Sequence, residues 1–313
     1  MIDRILRKGR EALHLRSTRA VLDTPPIVPT DDRVVIFSMI GTRVLLPYLV
    51  AVKSLRARVG IGRIAILDDG SLTDADKAVL AHHLGDPEIR SIRDVDTGRC
   101  PHGGTWERLL TLLDLRADDY VIQLDSDTVT VGEVPEVLAA IERNHSFTLI
   151  GDPETDGVGV LPLPDFVAHR YPEGLSPGHH HIQAEIESRF ASYPNAAGHR
   201  YVRGCSGFTG FARGGPSGRA EAEAFSQAGE AQVGKERWTE WGTEQVASSF
   251  LLSNEPGMVP LPYRRYLNYW NEPPNPDARF LHFVGTHRYS SAEYRQRSTE
   301  QIALLRAPAK AGA

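Results

Sequence analysis

The chain opens on two alternating periods of apolar residues. Short apolar runs at Val34-Val35-Ile36-Phe37, Ile64-Ala65-Ile66-Leu67 and Val121-Ile122-Gln123-Leu124, each bounded by polar or turn residues, predict buried strands. Between the first two, Leu45 to Leu55 carries apolar residues at helical spacing, with Pro47 suited to a first turn. Thr73 with Asp76 predicts a capping-box helix start, and Gly85 a stop just past His83. Ile89 to Ile92 predicts a third short strand. Thr105 to Leu115 then sets Trp106, Leu109, Leu110 and Leu113 on one helical face. Strand and helix thus alternate as far as Leu124. That rhythm predicts an α/β protein with a Rossmann-like, mostly parallel, doubly wound sheet flanked by helices.

Beyond Asp127 the rhythm loosens. A short helix is expected at Val137 to Arg143, a strand at Phe147 to Ile150, and a hairpin turn at Asp156-Gly157. Leu161 to Gly178 is rich in Pro and Gly and reads as a loop, followed by a helix from Ile182 to Phe190. Phe208 to Ala212, Ala220 to Ala228 and Thr243 to Leu252 resume strand and helix. Phe280 to Val284 predicts a last strand and Ser291 to Leu305 a last helix. The expected organisation is a basic helix and Pro-rich linker over 1–30, then one domain over 31–313. Within it, 31–130 and 131–313 read as two halves of different rhythm.

Composition narrows the partners. With 313 residues and 41% hydrophobic positions the chain can bury a sizeable core, and its net charge of −5 argues against a nucleic-acid binder. Cys100 and Cys205 supply no disulfide framework. No apolar run approaches the ~20 residues of a membrane span, and no signal peptide is evident, so a cytoplasmic protein is expected. The segment Met1 to Ala20 complicates this. Arg4, Arg7, Lys8, Arg10, Arg16 and Arg19 are interleaved there with Ile2, Ile5, Leu6, Leu13 and Leu15. Such a basic amphipathic helix suits peripheral contact with an anionic membrane, or docking on the protein by its Leu and Ile face. Oligomeric state is not legible.

The strongest chemical signal is Asp125-Ser126-Asp127. Two Asp at i and i+2 ending a buried strand project the same way. Ligands in open α/β sheets bind beyond the carboxyl ends of the strands, and paired carboxylates there suit Mn²⁺ or Mg²⁺ that also holds phosphates. Capping of the following turn is the other explanation. His282 is a polar residue in the apolar run Phe280 to Val284. His179-His180-His181 follows a Pro-Gly turn and reads as a solvated helix start rather than a metal site.

Taken in order, Asp125-Ser126-Asp127, Gly204-Cys205-Ser206-Gly207, Thr243-Glu244-Gln245 and His282-Phe283-Val284-Gly285-Thr286-His287-Arg288 resemble the GT-A glycosyltransferases. Motif order is most similar to the family 8 group, which includes glycogenin and bacterial galactosyltransferases. Cys205, Glu244, Arg288 and Tyr289 depart from the usual residues, and Asp68-Asp69-Gly70-Ser71 looks more like the inverting family 2.

The resemblance implies a GT-A fold and a metal-dependent transfer of sugar, with retention, from a nucleotide-sugar donor, UDP-linked, to a carbohydrate or other hydroxyl acceptor. It implies 31–130 as the nucleotide-binding half, and 131–313 as the acceptor half and C-terminal metal/phosphate motif. It implies metal ligation by Asp125, Asp127 and His282, and donor contacts by Ser38, Asp69, Arg108, Asp125, Ser126, Gly285 and Arg288. Gln245 would line the sugar's reactive face in a retaining enzyme, whereas Glu244 would be the base in an inverting one. Trp238 and Trp241 suit sugar stacking or the core. A sugar-1-phosphate nucleotidylyltransferase, suggested by Gly41-Thr42-Arg43, and an inactive nucleotide- or carbohydrate-binding relative are the alternatives.

Overall fold

The computed structural model describes residues 2–273 and 275–307, so Met1 of the basic N-terminal segment lies outside the described residues. In chain order the strands are β1 (Val34–Ile40), β2 (Arg63–Asp68), β3 (Glu88–Ser91), β4 (Tyr120–Leu124), β5 (Thr128–Thr130) and β6 (Phe147–Ile150). They continue as β7 (Leu161–Pro162), β8 (Arg200–Tyr201), β9 (Gly204–Phe211), β10 (Val259–Pro260), β11 (Tyr266–Asn268) and β12 (Phe280–His282). The principal sheet has seven strands in the order β10-β6-β9-β4-β1-β2-β3. β1 pairs parallel with β2, β2 with β3, and β10 with β6, while β6 and β9 are antiparallel. Continuous apolar runs make β1, β2 and β4 strands that are buried along nearly their whole length.

The chain divides into two compact units: one of residues 1–91, 122–138 and 264–313, the other of 92–121 and 139–263. In the first unit, helix α1 (Ile2–Thr18) packs with α2 (Leu45–Val59) and with α11 (Glu293–Arg306). Helix α3 (Asp74–Leu84) begins at a reciprocal capping box between Thr73 and Asp76 and ends at Gly85, whose φ of 70° favours glycine. A three-stranded sheet in the order β11-β12-β5 follows the Asp125-Ser126-Asp127 turn. There β12 runs antiparallel to β5, so His282 registers with Thr128, and parallel to β11, so His282 also registers with Asn268. Val129, Leu281, Phe283, Tyr269 and Tyr294 form the core beneath it.

The second unit places helix α4 (Trp106–Leu115), α7 (Ile182–Ser188), α8 (Arg219–Val233) and α10 (Thr243–Ser253) with β6 and β9. An aromatic cluster holds it: Phe225 stacks on Phe250 with centroids 4.4 Å apart, and Phe190 meets Tyr201 edge-on at 4.7 Å. The segment 161–178 is not simply a loop. Its first half forms β7 and a helix over Leu163–Arg170. Pro164 sits in the helix's first turn, where proline is tolerated, and Leu163 and Phe166 are buried. Nor is there a hairpin at Asp156-Gly157. The Asp152 side chain accepts from the Thr155 backbone and closes a short 3-10 turn over Pro153–Thr155 instead. β9 also starts earlier than the apolar pattern implies, taking Cys205, Ser206 and Gly207 into the sheet.

Candidate functional site

In the first unit, the chain turns directly after β4 and returns as β5, leaving Asp125 partly exposed and Asp127 buried. The β12–β5 pairing carries His282 to the same place. Its Nε2 lies 3.3 Å from Asp127 Oδ1 and 3.8 Å from Asp125 Oδ2. One ligand atom from each of Asp125, Asp127 and His282 falls within 4.8 Å of the others. On the other ring nitrogen, His282 Nδ1 lies 2.8 Å from Asn268 Oδ1. A carbonyl oxygen there requires Nδ1–H to donate, so the Nε2 that faces the two carboxylates carries a proton only in the imidazolium, and offers its lone pair to a metal in the neutral ring. Two hard oxygen donors and one imidazole form a set that fits a divalent cation such as Mn²⁺ or Mg²⁺. Nothing in the sequence separated Asn268 from other polar residues of the C-terminal region.

Arg288 Nη2 donates to Asp127 Oδ2, and its Nε donates to the Phe283 carbonyl at 3.2 Å. Burial alone would raise the Asp127 pKa. His282 and Arg288 outweigh it and hold the carboxyl at about 2. The same pairing with Asp127 raises the Arg288 pKa against the opposing effect of burial. Gly285 stands at a φ of 42°, and a Cβ there would meet no atom within 4 Å, so its backbone conformation rather than crowding calls for glycine. Ser126 is partly exposed in the turn, and its carbonyl accepts from the Tyr294 hydroxyl at 3.3 Å.

Two other residues of this unit have defined local duties. Ser38 is buried on β1 and donates to the Leu124 carbonyl at 2.7 Å, tying β1 to the end of β4. Asp69 is exposed, and its Oδ1 accepts from the Ser71 backbone at 2.9 Å and from its hydroxyl at 2.6 Å. A Cβ on Gly41 would lie 2.2 Å from Asp69 Oδ2 and 2.3 Å from Ser71 Oγ, so a larger residue there would displace both side chains from this turn.

In the second unit, Arg108 on α4, Ser206 on β9 and Glu244 on α10 meet. Arg108 Nη2 donates to Glu244 Oε2 and to Ser206 Oγ, both at 3.0 Å, and Ser206 Oγ donates to Glu244 Oε2 at 3.1 Å. Thr105, at a φ of 76°, adds a hydroxyl donor to the same oxygen at 2.9 Å. Arg108 is thus a buried ion pair, not a surface one, and Glu244 is 1% exposed.

Gln245, the next residue, is partly exposed and anchors a chain of polar groups. Its Nε2 donates to Gln183 Oε1 at 3.0 Å, and Gln183 Nε2 donates to Glu187 Oε1 at 3.0 Å. Glu187 is fully buried; it also accepts from the Tyr201 hydroxyl at 2.9 Å and the Tyr171 hydroxyl at 2.6 Å, and pairs with Arg203 at 3.4 Å. Burial and Glu187 raise both tyrosine pKa values, so both phenols stay protonated donors. A carboxylate can only accept, so Gln183 must present its amide nitrogen to Glu187 and its oxygen to Gln245. That fixes the Gln245 amide with its nitrogen inward. Sequence patterns do not single out Gln183 or Glu187.

The tryptophans divide: Trp238 is fully buried against Trp106 and Phe225, while Trp241 is 67% exposed. His181 caps α7, its Nδ1 accepting from the Gln183 backbone at 3.3 Å, and meets Trp241 edge-on.

No protein-family model matches the chain, and no curated protein matches it in sequence. Among solved structures, the galactosyltransferase LgtC in complex with donor and acceptor sugar analogs is similar at a TM-score of 0.51 and 16% identity. That likeness covers 88% of this chain and 98% of the other. An active-site glutamine-to-glutamate mutant of LgtC gives 0.50 and 15%, over the same shares. The chain has the GT-A glycosyltransferase fold. Mouse xyloside xylosyltransferase 1, at 0.45 and 11% over 81% of this chain and 97% of that one, is a more distant neighbour.

Proposed function

We propose that this protein is a metal-dependent glycosyltransferase that moves a sugar from a nucleotide diphosphate, UDP in the simplest case, to a hydroxyl acceptor with retention of configuration. The observation that carries the reading is the convergence of Asp125, Asp127 and His282 at the end of β4. LgtC, whose fold the chain shares, has been captured with donor and acceptor sugar analogs, which supports the same class of partners here.

Asp125, Asp127 and His282 would hold Mn²⁺ or Mg²⁺, which as a Lewis acid stabilises the charge developing on a diphosphate leaving group. Arg288, alongside, adds fixed positive charge with donors to spare, and Ser126 and Gly285 offer backbone to the phosphates. Ser38 and Asp69 shape the loop ends on the nucleoside side. Arg108 contributes by holding Glu244. Glu244 is 1% exposed and its Oε2 accepts from Thr105, Arg108 and Ser206, so an acceptor hydroxyl would reach it only if it were uncovered, which supports retention over inversion. Gln245 is the residue proposed to line the reactive face of the sugar, and an active-site glutamine is known in LgtC.

The test is a panel of nucleotide sugars incubated with Mn²⁺, scored for nucleotide diphosphate release, with the product anomer determined by NMR. Metal-dependent release with retained configuration is expected. Pyrophosphate exchange in place of transfer would assign a nucleotidylyltransferase, and an inverted product would return Glu244 to the role of base.

A further inference from the structure

Helix α1 docks on the protein by the unexpected face. The residues it buries are His14 and Thr18, with His14 stacked on Tyr294 at 3.9 Å. At about 100° per residue, Ile5, Gly9, Ala12, Leu13 and Arg16 share the opposite side, with Leu6 beside them. On that side Ile5 is 64% exposed, Leu6 49% and Leu13 54%. Ile5, Leu6 and Leu13 therefore face away from the core of the first unit, with exposed Arg16 among them and exposed Lys8 and Arg4 to one side.

A second observation lies where this helix ends. Arg16 and Arg19 join Arg43, from the turn after β1, around an open cavity of about 400 Å³ whose apolar lining is Leu15, Leu46 and Pro47. All three arginines are exposed, and none has an ion pair or hydrogen bond within the described residues. Converging guanidinium groups without carboxylates are a receptor for phosphate.

We propose that α1 lies on an anionic phospholipid surface, with Ile5, Leu6 and Leu13 entering the acyl boundary and the Arg16, Arg19 and Arg43 cavity receiving a lipid phosphate. Exposed apolar side chains set among cations on one side of a helix suit the interface of an anionic membrane. A free phosphate would satisfy the arginines but leave the apolar side chains in water. A second copy packed face to face would oppose the cations to one another. A negatively charged bilayer satisfies both features, since polybasic segments gain with each Lys or Arg near the surface. This inference does not depend on the reaction catalysed.

The test is flotation of the full chain with phosphatidylcholine vesicles, with and without phosphatidylglycerol. Binding is expected only to the anionic vesicles and is expected to weaken with salt. Leu6→Ser/Leu13→Ser should lower it roughly tenfold or more. Arg16→Ala/Arg19→Ala/Arg43→Ala should lower it on the order of a hundredfold. Both variants should keep the wild-type circular dichroism and Mn²⁺ affinity, since every altered side chain is exposed or half-exposed. Equal flotation with neutral vesicles, or variants that float like the wild type, would overturn the proposal. So would inorganic phosphate binding the cavity while no vesicle floats the protein, or a dimer in sedimentation that Leu13→Ser dissolves.

Discussion

His282 Nε2 lies 3.3 Å from Asp127 Oδ1 because β12 pairs with the strand that begins one residue after Asp127. Three protein ligands are too few for a tight site, so nucleotide phosphates should complete the shell. His282→Ala is therefore expected to lower Mn²⁺ affinity mainly in the presence of UDP. Asn268→Leu, which removes the acceptor on Nδ1, should cost roughly tenfold or more by freeing the ring's orientation and tautomer. Calorimetry of Mn²⁺ with and without UDP measures both, and unchanged affinities in the UDP complex would take His282 out of the site.

Arg108 and Glu244 make a buried pair whose members are 6% and 1% exposed. Removing one charge strands the other, so Arg108→Met should destabilise the fold by about 3–5 kcal/mol. The double variant Arg108→Met/Glu244→Leu should recover most of that loss, because a well-packed apolar pair replaces the ion pair with little penalty. Urea denaturation decides it. A single variant as stable as the wild type would mean that the pair does not hold the two elements together.

The Glu187–Gln183–Gln245 chain sets the direction of one amide. Gln183→Leu breaks it without touching the Glu187–Arg203 pair, and leaves Gln245 free to turn over. Sugar transfer is expected to fall about tenfold or more, as when a positioning group is lost. UDP and Mn²⁺ affinities should stay at the wild-type level. Restoration of transfer by Gln183→Glu, which can still accept from Gln245, would not be expected to be complete, because two carboxylates would then face each other. Full activity in Gln183→Leu would show that the amide needs no such setting.

Burial, reinforced by Arg288 and Arg295, lowers the His14 pKa from 6.5 to about 3, and burial with Lys53 lowers that of His83 to about 4. The unfolded chain takes up these protons first as pH falls. The stability contributed by each neutral imidazole is thus complete above pH 6.5 and is lost progressively toward pH 4 and 3. His14 is 1% exposed, and its two ring nitrogens have no hydrogen-bond partner among the described residues. His14→Phe should therefore keep the stacking on Tyr294 and remove about 2 kcal/mol of the loss at pH 5. Chemical denaturation at pH 7 and pH 5 checks this, and an unchanged pH dependence would contradict a buried neutral His14.

Much of the architecture is written locally. Apolar runs specify β1, β2 and β4, and Thr73, Asp76 and Gly85 bound α3, because burial pattern and capping act over a few residues. The carboxylate pair and His282 are visible as motif residues for the same reason. The second half resists such reading where proline stands inside a helix start, as at Pro164, or where strands are two or three residues long, as in β8, β10 and β11.

The amino-acid sequence by itself determined the strand and helix periodicity, the amphipathic character of α1 and the types of residue available for metal binding. Only the tertiary structure decided that His282 meets Asp127, that Asn268 sets its tautomer, that Glu244 is sealed by Arg108, and that α1 turns Ile5, Leu6 and Leu13 outward. Each of these depends on which distant segments pair. A hydrogen bond or a buried face is defined by its partner, and no periodicity within one segment encodes where that partner will lie.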